Sequence, residues 1–248
     1  MTNQPLFELL QQCVVRLQLP NNLGTGFFVA PGLILTCAHV VQIKADQQVN
    51  VYWQHQKQTY TAVLDKQQSV DAEKIDLALL KLNGIVPTHP CVYLDTLAQT
   101  GDQLYTYGYA DRGELRVGQV PNGEPVSFEL EGYTGDDPPL LKFKGGQARP
   151  GLSGSPLLNQ QTGKVCAVVK ATFDRNFDLG GLGISTKDVL SVFPHLSALQ
   201  QQFHQDNTSW LTLLPKPSPQ SPSSKLADKI GIVVQDNANL SITDFTMN

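Results

Sequence analysis

The chain has few charged residues and few cysteines, and it lacks a long apolar run. Only 16% of its 248 residues are charged and the net charge is -4, so no broad positive surface is available to attract a phosphate backbone. This excludes most nucleic-acid-binding proteins, and we expect no nucleic-acid partner. No stretch approaches the roughly 20 apolar residues of a membrane-spanning helix, and we expect no membrane partner.

The N-terminal segment lacks the basic residues that begin a secretory signal. No Lys or Arg precedes Arg16, and glutamines interrupt the apolar run. The four cysteines are too few for a disulfide scaffold, and none stands in a C-x-x-C pair. We therefore expect a cytoplasmic protein with no cofactor and no metal site, and with four reduced, mostly buried thiols: Cys13, Cys37, Cys91 and Cys166.

The apolar residues, 41% of the chain, fall into short segments bounded by turn residues. Thirteen such segments lie between residues 13 and 186, and their length and spacing favour a sandwich or barrel over βαβ units. Six precede Thr100–Gly101 and seven follow it. This division predicts two antiparallel barrels, one over about 12–100 and the other over about 101–192.

Helical patterns occur only near the two ends of this region. One covers Pro5 to Gln12, and the other predicts a short C-terminal helix over about 186–204. Pro194 lies inside the second pattern, and proline breaks a helix interior but is accepted in a first turn. We therefore expect the helix to be divided there, or a second helix to begin.

The composition changes after residue 212. Proline and serine dominate residues 213–225, and such a segment behaves as a semi-extended linker. We predict one globular domain over 1–212, this linker, and a short β-like tail over 226–248 that docks on a partner protein or domain.

Three segments place a catalytic residue type beside strand-forming sequence: TCAHVV with His39, KIDLALLKL with Asp76, and GLSGSPLLN with Ser153. A serine hydroxyl needs a base within hydrogen-bond reach, and the base needs a carboxylate to fix its tautomer. Gly151 and Gly154 allow a tight turn around Ser153, so that the N–H groups of Gly151 and Ser153 can form an oxyanion hole. Asp71 is the alternative carboxylate.

With these motifs in this order, residues 12 to 192 resemble the trypsin-like, chymotrypsin-fold serine peptidases of the bacterial, intracellular kind. The resemblance implies an all-β fold of two six-stranded antiparallel barrels. It further implies that His39 is the general base, Asp76 its orienting partner and Ser153 the nucleophile, with Gly151 and Ser153 as the oxyanion donors.

The resemblance also indicates the substrate pocket. Its base corresponds to Gln147, six residues before the nucleophile, and the neutral amide argues against a simple Lys/Arg pocket. The segments after the serine form the walls, where Asp174 or Asp178 could supply a carboxylate or could lie in a solvated turn. The predicted pocket residues are Gln147, Lys170, Ala171, Asp178 and Gly181.

Two departures from the family pattern are informative: one concerns activation and the other a missing disulfide. Secreted relatives carry an aspartate just before the serine, where it pairs with a freed N-terminal ammonium, whereas this chain has Leu152. Activation by N-terminal cleavage is therefore excluded. The disulfide that braces the histidine loop is also missing, because Cys37 has no nearby partner. Ser155 is a rival nucleophile that we do not favour.

A different hydrolase class shares part of this pattern. Ser153 followed by Asp174 or Asp178 and by a later histidine is the order of α/β-hydrolases. Pro156 opposes the helix that must follow their nucleophile, and the upstream sequence lacks alternating strands and helices. We set this alternative aside, and we predict that the remaining histidines lie on the surface without a role: His55, His89, His195 and His204.

The sequence therefore predicts a serine endopeptidase that acts on protein or peptide substrates. The alternative is a catalytically silent, protease-like module that binds partners in the cleft between the two barrels. The linker and tail favour attachment to a partner, as in a regulated effector of a bacterial defence or signalling system.

Overall fold

The computed structural model describes residues 3–20, 22–41, 48–65, 70–110, 122–172 and 180–216. Within them, twelve strands form two closed antiparallel barrels of six strands each. This confirms the predicted all-β, chymotrypsin-like architecture. Twelve of the thirteen predicted segments coincide with strands, and the remaining one, over 114–120, lies outside the described residues.

Barrel one is formed by β1 Val14–Leu19, β2 Asn22–Ala30, β3 Leu33–Cys37, β4 Val49–Trp53, β5 Gln58–Leu64 and β6 Leu77–Leu82, in the order β1-β2-β3-β6-β5-β4. Barrel two is formed by β7 Gln103–Gly108, β8 Glu124–Tyr133, β9 Leu141–Lys144, β10 Pro156–Asn159, β11 Lys164–Thr172 and β12 Gly181–Ser185, in the order β10-β11-β12-β9-β8-β7. The helices are α1 Gln4–Cys13, α2 Ala38–Val41, α3 Val70–Lys74, α4 Thr186–Val192 and α5 His195–Asp206, with a 3-10 turn at Leu211–Leu213. Both barrels lie in the unit Met1–Pro215.

Strand β8 shows how the sequence pattern builds a barrel wall. Phe128 and Leu130 are buried in the core of barrel two, whereas Glu129 and Glu131 alternate with them and form ion pairs with lysines of β9. Alternate residues of a strand point to opposite faces. One face of β8 therefore packs on the core and the other meets water.

The C-terminal helical segment is divided, as Pro194 indicated. Helix α4 ends at Val192 and α5 begins at His195. Pro194 lacks an N–H and cannot extend the ladder of α4, so the helical segment predicted over about 186–204 forms two helices, the second of which ends at Asp206. No helix among the described residues is long and apolar enough to cross a membrane.

The prediction that His89 and His204 lie on the surface is wrong. His89 stacks on Phe28 with the ring centroids 3.7 Å apart, and its Nε2 accepts a hydrogen bond of 2.9 Å from the Gly32 N–H. The buried His204 ring has its Nε2 3.1 Å from the Val92 carbonyl. Both rings are buried by long-range packing, which the polar neighbours in sequence do not reveal.

Candidate active site

Strand pairing brings His39 and Asp76 together. Strands β3 and β6 are antiparallel neighbours, and Cys37 is paired with Leu77. The chain that leaves β3 therefore starts beside the chain that enters β6. His39 lies in the single turn of α2, directly after β3, and Asp76 directly precedes β6.

The two side chains form a multiply bonded pair. The His39 Nδ1 lies 2.8 Å from Asp76 Oδ2 and 3.0 Å from Oδ1. The His39 backbone N–H also donates to Oδ1 at 2.9 Å. The Asp76 side chain is 17% exposed and that of His39 is 49% exposed. The carboxylate is thus largely shielded from solvent, whereas about half of the His39 side chain is exposed to it.

The backbone of Asp76 is held in an unusual conformation. Its φ is 68°, in the left-handed region that aspartate tolerates better than most residues. Its N–H donates to the Glu73 carbonyl and its carbonyl accepts from the Ala38 N–H, both at 3.0 Å. These bonds hold the Asp76 backbone on both sides of its Cα. Asp71, the alternative carboxylate, is exposed and pairs with Lys74 at 3.1 Å.

Ser153 lies on a turn between β9 and β10 that two glycines shape. Gly151 has φ 89° and Gly154 has φ 86°, values that side-chain-bearing residues rarely adopt. A Cβ on Gly154 would also collide with the Thr25 carbonyl oxygen. Both glycines are therefore required by the backbone path around the serine.

The Ser153 hydroxyl donates a hydrogen bond of 3.1 Å to the Lys170 carbonyl. Across the residues that the structure describes, no hydrogen bond joins it to His39. Barrel one nevertheless contacts this part of barrel two directly, because the Thr25 N–H donates to the Ser153 carbonyl at 3.0 Å and the Cys37 thiol donates to the Val169 carbonyl at 3.2 Å. The rival nucleophile Ser155 is fully buried.

Of the four backbone N–H groups from Gly151 to Gly154, two donate hydrogen bonds to described residues and two do not. The Leu152 N–H donates to the Arg149 carbonyl at 3.1 Å, and the Gly154 N–H donates to the Val169 carbonyl at 2.8 Å. By contrast, the N–H groups of Gly151 and Ser153 donate to no other group in the described ranges. These are the two N–H groups that the sequence predicted as oxyanion donors.

The predicted pocket residues are described only in part. Gln147 is half-buried and its amide oxygen accepts from the Arg149 Nε. Lys170 lies in β11, and its carbonyl contacts Ser153. Gly181 begins β12 opposite Phe143 of β9. The backbone of Ala171 belongs to β11; Asp174 and Asp178 lie outside the described residues.

Leu152 occupies the position just before the serine. Its side chain is buried in the core of barrel two. An apolar contact therefore anchors the turn at the position where the secreted relatives have the aspartate of an ion pair. No sequence motif marks Thr25, whose N–H and side chain both bond to the serine turn. A threonine between two glycines on a predicted strand carries no signal for that contact.

Cys37, His39 and Asp76 are the one His/Cys/Asp/Glu group in the described ranges with metal-ligand spacing, their ligand atoms lying within 4.8 Å of one another. The observed hydrogen bonds account for all three side chains without an ion. Burial, reinforced by the Asp76 charge, raises the pKa of the Cys37 thiol well above its usual value, so the ligating thiolate is disfavoured. The group therefore gives no reason to assign a metal.

Comparisons with known proteins agree with this architecture. The family model of the trypsin-like peptidase domain matches residues 24–168, more than half of the chain. No curated protein sequence matches the chain significantly.

Solved structures of the Rv3671c protease are similar in fold. An inactive form from M. tuberculosis H37Rv superposes with a TM-score of 0.61 at 22% identity, over 79% of this chain and 92% of that chain. The active form gives a TM-score of 0.60 at 21% identity, over 77% of this chain and 84% of that chain. Together, the two barrels and the match of the family model show that the chain belongs to the trypsin-like peptidase domain family.

Proposed function

We propose that the chain is a serine endopeptidase that cleaves protein substrates through an acyl-enzyme, with His39, Asp76 and Ser153 as its catalytic residues. The observation that carries the proposal is the hydrogen-bonded pair of His39 Nδ1 and Asp76 Oδ2 at 2.8 Å. An imidazole that donates its Nδ1 proton to a carboxylate keeps the Nε2 lone pair free to act as a base.

The proposed reaction begins when Ser153 Oγ attacks the peptide carbonyl and His39 Nε2 takes the hydroxyl proton. The carbonyl oxygen becomes an oxyanion that accepts hydrogen bonds from the N–H groups of Gly151 and Ser153. When the C–N bond breaks, the leaving amine takes the proton from His39, and the acyl group stays on Ser153. Water then repeats the sequence with the same base and releases the carboxylic acid.

The serine must rotate before it can react. Its hydroxyl donates to the Lys170 carbonyl at 3.1 Å. The proton that His39 must remove is therefore directed at that carbonyl and not at the imidazole. A change between staggered χ1 rotamers, about 120°, redirects the oxygen without moving the backbone. Catalytic hydrogen bonds in unliganded sites are often formed only when substrate binds.

The same contact favours the second candidate function, a catalytically silent module that binds peptides in the cleft. In such a module the serine stays on the Lys170 carbonyl and never meets the base. The two functions differ in one measurable property, the nucleophilicity of Ser153.

A fluorophosphonate probe measures that property, because it phosphonylates only an activated serine. We expect the wild type to be labelled once, at Ser153, with labelling abolished in Ser153→Ala and in His39→Ala. Ser155→Ala is the matched control; its hydroxyl is fully buried and makes no hydrogen bond to any described residue, so labelling should persist. A folded wild type that is not labelled would support the binding module instead.

Two further parts of the proposal concern the tail over 226–248, which lies outside the described residues, and the cellular role of the protein. Attachment to a partner through the tail 226–248, and an effector role in a bacterial defence or signalling system, stay predictions. Pull-down with the full chain and with a chain ending at residue 216 tests the first of them, since a partner of the tail should be lost only from the shorter chain.

A further inference from the structure

We propose that Thr25 of barrel one is a positioning residue that sets the oxyanion loop of barrel two, defined here as residues 149–155. The inference rests on the proposed function for its catalytic meaning. The Thr25 hydroxyl donates to the Gly151 carbonyl at 2.8 Å, and the Thr25 N–H donates to the Ser153 carbonyl at 3.0 Å. One residue thus holds the carbonyls on both sides of Leu152.

These two bonds fix the orientation of peptide planes. A peptide unit is planar, with its C=O and N–H pointing in opposite directions. In the Gly151–Leu152 unit, the C=O is held by the Thr25 hydroxyl and the N–H by the Arg149 carbonyl. In the Ser153–Gly154 unit, the C=O is held by the Thr25 N–H and the N–H by the Val169 carbonyl.

The unit between them carries the Ser153 N–H. Its C=O belongs to Leu152 and accepts from the Ser155 N–H at 2.9 Å. The Ser153 N–H must therefore point away from the loop interior, toward the space that the proposed oxyanion occupies. The two peptide units that flank this donor are the ones that Thr25 holds.

Thr25 is itself immobilised. It is fully buried, its Oγ1 accepts from the Tyr109 N–H at 2.9 Å, and its carbonyl accepts from the Thr36 hydroxyl at 2.7 Å. Because all of its polar groups are used, the hydroxyl has one orientation, with its proton directed at Gly151. A buried carbonyl that loses its donor is costly, so removing the hydroxyl should release the Gly151–Leu152 unit.

This arrangement accounts for an oxyanion loop that lacks an ion-pair lock. The Leu152 side chain is held by the apolar core of barrel two, and the Gly151 and Ser153 carbonyls on either side of it are held by barrel one through Thr25. The loop is therefore clamped across the interface between the barrels. A change in barrel one that moves Thr25 should therefore reach the proposed oxyanion hole.

The test compares Thr25→Val, which keeps the shape and the backbone N–H but loses the hydroxyl, with Thr25→Ser, which restores the hydroxyl. Thr186→Val is the matched control, because Thr186 is also fully buried and its hydroxyl donates to a backbone carbonyl, Val165, at 3.1 Å away from the loop. The loss of one oxyanion donor lowers kcat by about 10²–10³-fold. For the misaligned loop of Thr25→Val we expect kcat for a cleaved peptide to fall about 10–100-fold with KM little changed, while Thr25→Ser and Thr186→Val stay close to wild type.

A second readout does not depend on catalysis. Amide hydrogen exchange, measured by mass spectrometry on peptides covering 148–156, should accelerate in Thr25→Val and remain unchanged in Thr186→Val. Unchanged exchange in the loop, or a kcat loss that is equal in the two valine variants, would overturn the proposal. If the wild type shows no Ser153-dependent labelling but the exchange result holds, the proposed function fails and the clamp itself stands.

Discussion

The carboxylate of Asp76 is bonded both to the ring and to the backbone of His39. The Oδ1 atom accepts from the His39 N–H at 2.9 Å, and Oδ2 lies 2.8 Å from Nδ1. The histidine that the carboxylate orients therefore also helps to position the carboxylate. This reciprocity makes the pair a rigid unit, and its chemistry depends on the charge and acceptor character of Asp76.

Asp76→Asn should abolish most activity while preserving the fold. The asparagine oxygen can still accept from the His39 N–H, but its amide group donates to Nδ1 and moves the ring proton to Nε2. A ring protonated on Nε2 cannot take the Ser153 proton, and such a change lowers kcat by about 10⁴-fold. Steady-state kinetics with a cleaved peptide, beside circular dichroism, check the prediction. Wild-type kcat in a folded Asp76→Asn protein would remove Asp76 from the proposed triad.

Two glycines with positive φ should respond very differently to alanine. Gly101 has φ 91° and open space where a Cβ would lie, whereas a Cβ on Gly154 would collide with the backbone oxygen of Thr25. Gly101→Ala should cost only the left-handed backbone penalty of about 1–2 kcal/mol. Gly154→Ala should be more destabilising and should also lose fluorophosphonate labelling. Urea unfolding of both variants measures this, and equal losses of stability would contradict it.

Stability should fall in mild acid because of His89. Burial lowers the pKa of His89 below its usual value of 6.5, so below about pH 6.5 the unfolded chain binds a proton that the folded protein resists. The contribution is fully present above that pH and is lost as the pH falls. Protonating Nε2 also removes the acceptor of the Gly32 N–H.

The measurement is the free energy of unfolding between pH 7.5 and 5 for the wild type, His89→Gln and the exposed control His55→Gln. We expect a shallower loss of stability only in His89→Gln, because a glutamine oxygen can accept from Gly32 without titrating. His204, whose pKa burial also lowers, contributes in the same direction. A slope that is identical in all three proteins would show that His89 makes no such contribution.

The four cysteines should be inert in the folded protein. All four are free and buried; burial, with a smaller contribution from Asp102, raises the pKa of Cys166 to about 12, and burial likewise raises the pKa of Cys37. Because the thiolate is the reactive species, iodoacetamide at pH 8 should modify none of them in native buffer and all four in denaturant. Rapid native alkylation of any one thiol, located by mass spectrometry, would be the contrary result.

Substrates with lysine or arginine before the scissile bond should be poor. The Arg149 Nε donates to the Gln147 amide oxygen, which places a positive charge beside the predicted base of the pocket. A fluorogenic peptide library should show a neutral preference that Asp178→Ala leaves unchanged. A basic preference that disappears in Asp178→Ala would instead assign the pocket carboxylate to Asp178.

The strands could be predicted, and candidate reactive residues could be named, because their signals are local. Alternation such as that of Phe128 and Leu130 with their charged neighbours defines a strand by itself, and His39, Asp76 and Ser153 each stand in a short recognisable segment. The barrels follow because short strands with tight turns have few ways to bury their apolar faces.

Long-range contacts could not be predicted in this way. His89 lies in polar sequence, yet Phe28, some 60 residues earlier, buries it. The partner of the Ser153 hydroxyl is the carbonyl of Lys170, a group that every residue possesses and that no side-chain pattern marks. The contacts of Thr25 with the serine turn likewise span more than 120 residues.

The burial of Leu152 has a consequence for how the proposed peptidase would be controlled. Its anchor is present as soon as barrel two closes, and no liberated amine has to arrive from elsewhere. On the proposed function, folding of barrel two is enough to anchor this loop, so cleavage of the N-terminus is not a step in its activation. An N-terminal fusion partner should accordingly leave the chemistry intact.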